Sequence, residues 1–301
     1  MIRSALVTGA AGFVGGTLCS ALQNRGVEVV AHCRPRSSIK IPKMRLIQSD
    51  LSDPTSLDNM PDVDIVFHCA AQRPKSYDDR EAAQNNRLAD DTVLTVTRRR
   101  RKNLVYASMA TLFGLGNPCP PGSALGTTAG IYPLEKARTE DIGLKQAKEN
   151  GTLFSALRIN APYGPEQAAP TVIQIFIDNA LAKQPLRYHG TGSREQDFTY
   201  GEDIADAFIA ATTKASGYYL ISGGAPISMK KLSELVCEVV EVPKELAMPS
   251  GHPDPQEGFK ANFDISETSS RLDWRPRTSL SAGLKACLDT RKLEIEKNRG
   301  I

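Results

Sequence analysis

The chain has 301 residues, 41% of them hydrophobic and 24% charged, with a formal net charge of +3. This is enough apolar material for a full core in one large or two smaller domains, and the charge is too small for a strongly basic nucleic-acid or membrane-surface binder. No signal peptide is read at the start, no run of about 18 apolar residues is found, and the six cysteines lack a CxxC pair; a cytoplasmic protein with no membrane or nucleic-acid partner, no disulfide framework and no metal site is expected.

Ala5-Leu6-Val7 reads as the first strand and Thr17–Gln23 as the first helix. Between them lies Thr8-Gly9-Ala10-Ala11-Gly12-Phe13-Val14-Gly15. A strand entering a helix through three glycines at this spacing suits a pyrophosphate: the first permits a tight turn, the second lets backbone approach the phosphates, and the third lets helix pack on strand. The helix N-terminus adds free N–H groups and the positive end of its dipole. Gly9, Ala11, Gly12, Phe13 and Val14 are therefore candidate cofactor contacts.

Further strands are expected at Val27–Ala31, Arg45–Gln48, Ile65–His68, Leu104–Ala107, Ala156–Ile159 and Tyr218–Ile221, with helical stretches between them. Near-continuous apolar strands alternating with helices predict a parallel sheet covered on both faces, an α/β doubly wound (Rossmann) fold. The alternation breaks after about residue 165. The expected organisation is a dinucleotide-binding domain over 1–165, with a returning segment at about 190–222, and a smaller discontinuous substrate domain over 166–189 and 223–301. Arg98-Arg99-Arg100-Arg101-Lys102 reads as the basic last turn of a helix, where cations complement the dipole, in preference to a nucleic-acid patch.

Tyr132 and Lys136 stand four residues apart, so on a helix they share a face. An ammonium beside a phenol favours phenolate, which proton transfer near neutral pH requires. Pro133 is compatible with a first helical turn.

Together these motifs resemble the extended short-chain dehydrogenases/reductases, the NAD-dependent epimerase/dehydratase family, over nearly the whole chain. The glycine turn is similar to that family's cofactor turn. Asp50-Leu51 resembles its adenine-side pair, His68-Cys69-Ala70-Ala71 its fourth-strand motif, and Asn86 its structural asparagine. Arg158 followed by Pro162-Tyr163-Gly164-Pro165, the stretch from Gly190 to Asp203 and Trp274-Arg275-Pro276 match later motifs. The resemblance implies Tyr132 and Lys136 as the catalytic pair and Asp50, Leu51, Cys69, Ala70, Ala71, Tyr132, Lys136 and Pro162 as cofactor contacts, with Lys136 on the nicotinamide ribose hydroxyls. It also implies a homodimer through helices at roughly 81–98 and 132–149, although both helices read as polar.

Three departures bear on function. Counting back from Gly114, Met109 occupies the position of the family's hydroxyl residue, and a thioether donates no hydrogen bond. Ser108 is the neighbouring hydroxyl, on the opposite strand face by alternation, and is carried as the catalytic candidate; Thr111 is a further substitute. Ala110 and Thr111 replace the dehydratase acid, which disfavours 4,6-dehydration. Gln196 and His252 stand where arginines usually grip a substrate diphosphate, leaving Arg194, Arg187, Lys260 and Arg271 as alternatives. At the end of the second strand, Cys33 replaces the acid that would bind a ribose 2′-hydroxyl, and Arg34 and Arg36 follow, so NADP is the preferred cofactor, with NAD as the other choice. The leading function is an NAD(P)-dependent epimerase or oxidoreductase acting on a small-molecule substrate, a nucleoside-diphosphate sugar. The alternatives are an NADPH-dependent carbonyl reductase on a non-nucleotide ketone or aldehyde, and a non-catalytic cofactor sensor. Cys119-Pro120-Pro121-Gly122 reads as a connection or a lid.

Overall fold

A computed structural model describes residues 2–35, 37, 44–112, 130–167 and 170–298. Arg36, Phe113, Gly114 and the segment from Cys119 to Gly122 lie outside the described residues. The described residues fall into two compact units. The first comprises Met1–Asn160, Glu202–Ile221 and Asp264–Arg275; the second comprises Ala161–Gly201, Ser222–Phe263 and Pro276–Ile301.

The first unit is built on a seven-stranded sheet. Its strands are β1 (Ser4–Thr8), β2 (Glu28–Cys33), β3 (Arg45–Gln48), β4 (Ile65–His68), β5 (Asn103–Met109), β6 (Phe154–Ile159) and β11 (Gly217–Ile221). They lie in the order β11-β6-β5-β4-β1-β2-β3, and every pairing is parallel. The order reverses beside β1, which produces the crevice at the strands' carboxyl ends where such sheets bind ligands. Ala5, Leu6, Val7, Phe67 and Leu157 are wholly buried, as a sheet packed on both faces requires. β3 differs: it is an edge strand and Leu46 is 46% exposed.

The helices α1 (Phe13–Gln23), α2 (Arg80–Arg100) and α3 (Ile131–Asn150) belong to this unit. The Asp79 carboxylate caps α2 by accepting from the Ala82 N–H at 3.1 Å, and Arg101 ends it in the left-handed conformation. The basic run at that end is engaged locally. Arg98 pairs with Glu149 at 3.7 Å, Arg99 with Asp58 at 2.6 Å and Lys102 with Asp62 at 2.5 Å, while Arg100 donates to the Met60 carbonyl and Arg101 to that of Asn150. These contacts agree with a helix end and leave no free basic stripe.

The second unit has its own core. It centres on Ile173, Phe176, Ile177, Leu186, Leu232, Val236 and Leu284, from α4 (Val172–Leu181), β8 (Leu186–Tyr188), α6 (Met229–Val240) and α8 (Leu280–Asn298). Among the described residues no helix is long and apolar enough to cross a membrane, and no cluster of metal-ligating side chains occurs. Cys19, Cys33, Cys69, Cys237 and Cys287 are free thiols.

Candidate active site

The glycine turn follows from its sterics. Gly9 has φ +71°, and a Cβ there would lie 2.6 Å from the Ala70 backbone. A Cβ on Gly15 would lie 2.3 Å from the Gly9 carbonyl oxygen, so α1 packs against the turn only with glycine at that position. The turn is closed by Gly12 N–H donating to Gly9 O at 2.9 Å and Ala10 N–H to His32 O at 3.0 Å. Gly12 caps α1 without any side-chain hydrogen bond, which leaves the first-turn N–H groups available to an anion.

Beside this turn lies a cleft of about 340 Å³. Gly9, Ala11 and Gly12 form one wall; Cys33 and Arg34 close the end of β2, Asp50 and Leu51 follow β3, and Cys69, Ala70 and Ala71 follow β4. Nine of the sequence-derived cofactor residues are thus brought to one cavity. Phe13 and Val14 begin α1 and are absent from its lining, and Pro162 belongs to β7 (Pro162–Tyr163) of the second unit. The lining also includes Asn85 and Ala89 of α2, which sequence reasoning missed. Their signal was available: Ala89 follows Asn86 by three residues, and Asn86 holds the Gln72 backbone by accepting from its N–H at 2.6 Å and donating to its carbonyl at 2.9 Å. Asp50 is held below the usual carboxylate range, mainly by the Ser52 backbone N–H, with Arg34 contributing.

A dinucleotide fits this lining, since the glycines leave the backbone open where side chains would otherwise block phosphates. Lys136 approaches the same region. Its ammonium donates to the Ala107 carbonyl at 3.2 Å, lies 4.5 Å above the Tyr106 ring, and acts on the Cys69 thiol, which burial pushes upward. Tyr132 is buried in the first turn of α3, its N–H donating to the Tyr77 carbonyl at 2.9 Å. Pro133 is the third residue of the helix, where its missing N–H costs nothing.

At the end of β5 the hydroxyls separate by role. Met109 packs with Leu112 and Ala137 and fills space. The Thr111 hydroxyl is hydrogen-bonded to the Tyr77 hydroxyl at 2.8 Å. The Ser108 hydroxyl is buried and has no partner among the described residues, so it retains a proton to donate.

In the second unit Gln196 and Arg194 form one polar cluster. The Arg194 guanidinium donates to Asp254 at 2.8 Å, to Gln256 at 3.1 Å and to Gln196 at 3.2 Å. Lys260 pairs with Glu195 at 2.8 Å, and the His252 ring packs edge-on to His189. Arg271 belongs to the first unit, where its guanidinium covers the Tyr219 ring at 4.5 Å, so it is a packing residue.

Comparison with known proteins agrees with this anatomy. The chain is 25% identical over 325 residues to UDP-glucuronic acid decarboxylase 1 of Arabidopsis thaliana, covering 98% of this chain and 72% of that protein. It is 27% identical over 312 residues to a putative UDP-glucose 4-epimerase of Methanocaldococcus jannaschii, covering 95% and 98%. The solved structure of MoeE5 in complex with UDP-glucose and NAD superposes with a TM-score of 0.83 at 25% identity, covering 97% of this chain and 99% of that one. The family model described as "NAD dependent epimerase/dehydratase family" matches residues 5–220, and the chain belongs to that family.

Proposed function

We propose that the protein is an NAD(P)-dependent epimerase or oxidoreductase acting at a carbinol or carbonyl carbon of a nucleoside-diphosphate sugar. The observation that carries this reading is the buried Lys136 ammonium, held at the Ala107 carbonyl and over the Tyr106 ring, on the same buried helix face as Tyr132. The UDP-sugar enzymes among its relatives support the substrate class.

In this reading a bound nicotinamide dinucleotide supplies the hydride acceptor and donor. The turn from Gly9 to Val14, with Asp50, Leu51, Cys69, Ala70 and Ala71, binds it. Tyr132 exchanges a proton with the substrate oxygen, and Lys136 supplies positive charge on that face. Ser108 donates a hydrogen bond to the same oxygen in place of the residue that Met109 displaces, supported by its free buried hydroxyl. The second unit is the substrate-binding part. A cytoplasmic homodimer is part of the proposal, supported by the exposed Leu88 of α2 and Leu134 of α3.

For the cofactor, the family description and the MoeE5 complex speak for NAD. The chemistry at the end of β2 is the reason to propose NADP(H) as the preferred form: Cys33 carries no charge to repel a 2′-phosphate, and Arg34 lines the same cleft. One observation favours the carbonyl-reductase alternative. Arg194, the nearest substitute for the missing phosphate arginine, is already paired with Asp254.

Thermal unfolding with NAD⁺ or NADP⁺, then with added UDP, dTDP, GDP or CDP, tests the reading. A ligand at 100 times its dissociation constant stabilises by about 2.7 kcal/mol. A further shift with UDP is expected. Stabilisation by dinucleotide with none by any nucleoside diphosphate would transfer the assignment to the reductase, and dinucleotide-dependent turnover surviving Tyr132→Phe would exclude the proposed chemistry.

A further inference from the structure

Beneath the cleft lies a polar network that the chemistry above does not use. Its centre is Asp90 of α2, 1% exposed. One carboxylate oxygen is 2.8 Å from His68 Nε2. The other accepts from the Tyr106 hydroxyl at 2.6 Å and the Thr139 hydroxyl at 2.9 Å. The His68 Nδ1 lies 2.6 Å from the Thr8 hydroxyl, and the Thr8 oxygen accepts from the Ala70 N–H at 3.4 Å. All the side chains named are buried.

The Thr139 proton is shared between Asp90 and the Glu135 carbonyl at 3.0 Å, and the protons on the His68 side follow from the partners there. Burial alone would push the Asp90 carboxyl up, but the Lys136 ammonium, then the hydrogen bonds from His68 and Tyr106, outweigh it and hold the group below the usual carboxylate range. An ionised Asp90 is an acceptor only, so His68 Nε2 must carry its proton. Nδ1 is then the acceptor, because the Thr8 O–H has no other acceptor among the described contacts, and the Thr8 lone pairs remain for the Ala70 N–H. Tyr106, its phenol pushed well above the ordinary value by burial and by Asp90, remains a donor.

The two ends of this chain are the two halves of the site. Thr8 and Ala70 adjoin the glycine turn, and Ala70 lines the cleft. Tyr106 lies under the Lys136 ammonium, and Thr139 is on α3 one turn beyond Lys136. We propose that Asp90 is a positioning residue: its buried carboxylate joins the cofactor turn, through His68 and Thr8, to the helix carrying Tyr132 and Lys136, through Tyr106 and Thr139. This rests on the reading of Tyr132 and Lys136 as the reacting pair.

The first test needs no cofactor. In ¹⁵N-histidine-labelled protein near neutral pH, His68, assigned by the loss of its signals in His68→Gln, is expected as the neutral Nε2–H tautomer. An Nδ1–H form or an imidazolium overturns the proposal. The second test is Asp90→Asn, which keeps the shape and removes the charge. It is expected to lower kcat at least about tenfold while the dinucleotide KM stays within about threefold, since a misplaced reacting group costs rate more than binding. A kcat within about twofold of the parent would refute it. If Asp90→Asn does not fold, Thr139→Val takes its place: kcat is expected to fall and to recover in Thr139→Ser, and an unchanged Thr139→Val refutes the proposal. Absence of dinucleotide-dependent turnover in the parent protein would instead sink the catalytic reading, with the His68 tautomer still judging Asp90.

Discussion

Replacing Glu140 by glutamine examines how the helix carrying Tyr132 and Lys136 is held. Glu140 and Arg158 form a buried ion pair between α3 and β6, with side chains 2% and 3% exposed. The guanidinium Nη2 lies 2.7 Å from one carboxylate oxygen and Nε lies 3.1 and 3.2 Å from the two. A face of the guanidinium covers the Tyr218 ring, 4.3 Å from its centroid. Removing one partner of such a buried pair takes away the carboxylate that balances the Arg158 charge and costs about 3–5 kcal/mol. For a chain of this size each kcal/mol moves the melting temperature by about 2–4 °C, so the variant should melt about 6–20 °C lower. Thermal melts and urea unfolding with an unchanged slope are the assay. Substituting both residues, Glu140→Leu with Arg158→Met, should recover most of the loss, because two apolar groups leave no charge stranded. A single variant melting within about 2 °C of the parent, less than 1 kcal/mol by the same conversion, would refute the reasoning.

Three further outcomes follow from named contacts. Gly9→Ala places a Cβ 2.6 Å from the Ala70 backbone at φ +71°, and calorimetry should show dinucleotide binding weakened at least about tenfold, since overpacking and left-handed strain together cost a few kcal/mol; an unchanged affinity would show that the turn yields freely. Arg34→Glu should weaken NADP⁺ binding about tenfold or more relative to NAD⁺ in parallel titrations, and a ratio moved less than about threefold would remove Arg34 from cofactor choice. Burial lowers the His32 imidazole to about 4 from its ordinary 6.5. The unfolded chain therefore binds the proton first, and stability present above pH 6.5 should fall as pH drops from there towards 4, by about 3 kcal/mol in all. Urea titrations across that range, with His32→Gln as a flatter comparison, measure it; equal slopes in both proteins would assign the acid sensitivity elsewhere.

Much of the first unit was legible because its signals are local. The glycine turn, the apolar strands and the Tyr132–Lys136 spacing each lie within a few residues, and every strand bound falls within two residues of the expected one. The edge position of β3 was not legible, since alternation with helices reads alike for central and edge strands and only the sheet order exposes Leu46. Asp90 shows a deeper limit. On a helix that read as polar and solvated it is a buried hub, because its partners His68, Tyr106 and Thr139 come from three other elements. Ser108 was set against Met109 by strand alternation alone. What distinguishes the two is the hydroxyl of one, without a partner among the described residues, and the packing of the other against Leu112 and Ala137, both of which require the folded strand end.

The same reasoning explains how α3 sits in the core without an apolar stripe. Its buried residues are Tyr132, Pro133, Lys136, Ala137, Thr139, Glu140, Gly143 and Ala147, a face with few large aliphatic groups. The helix is docked instead by Lys136 on the Ala107 carbonyl, Thr139 on Asp90, Glu140 on Arg158, and Gly143 against the Phe154 ring, where a Cβ would come within 2.2 Å. Apolar contacts tolerate a helix sliding by an ångström, whereas directional contacts at three buried positions do not. A proton-transfer pair needs placement of that order, since an error of about 1 Å costs about a hundredfold in rate. Buried ion pairs contribute little net stability compared with apolar replacements, so their place on this helix is best accounted for by register. A protein repacked with Glu140→Leu and Arg158→Met should therefore keep or raise the melting temperature while losing turnover, and a repacked protein with full turnover would show that apolar packing alone positions Tyr132 and Lys136.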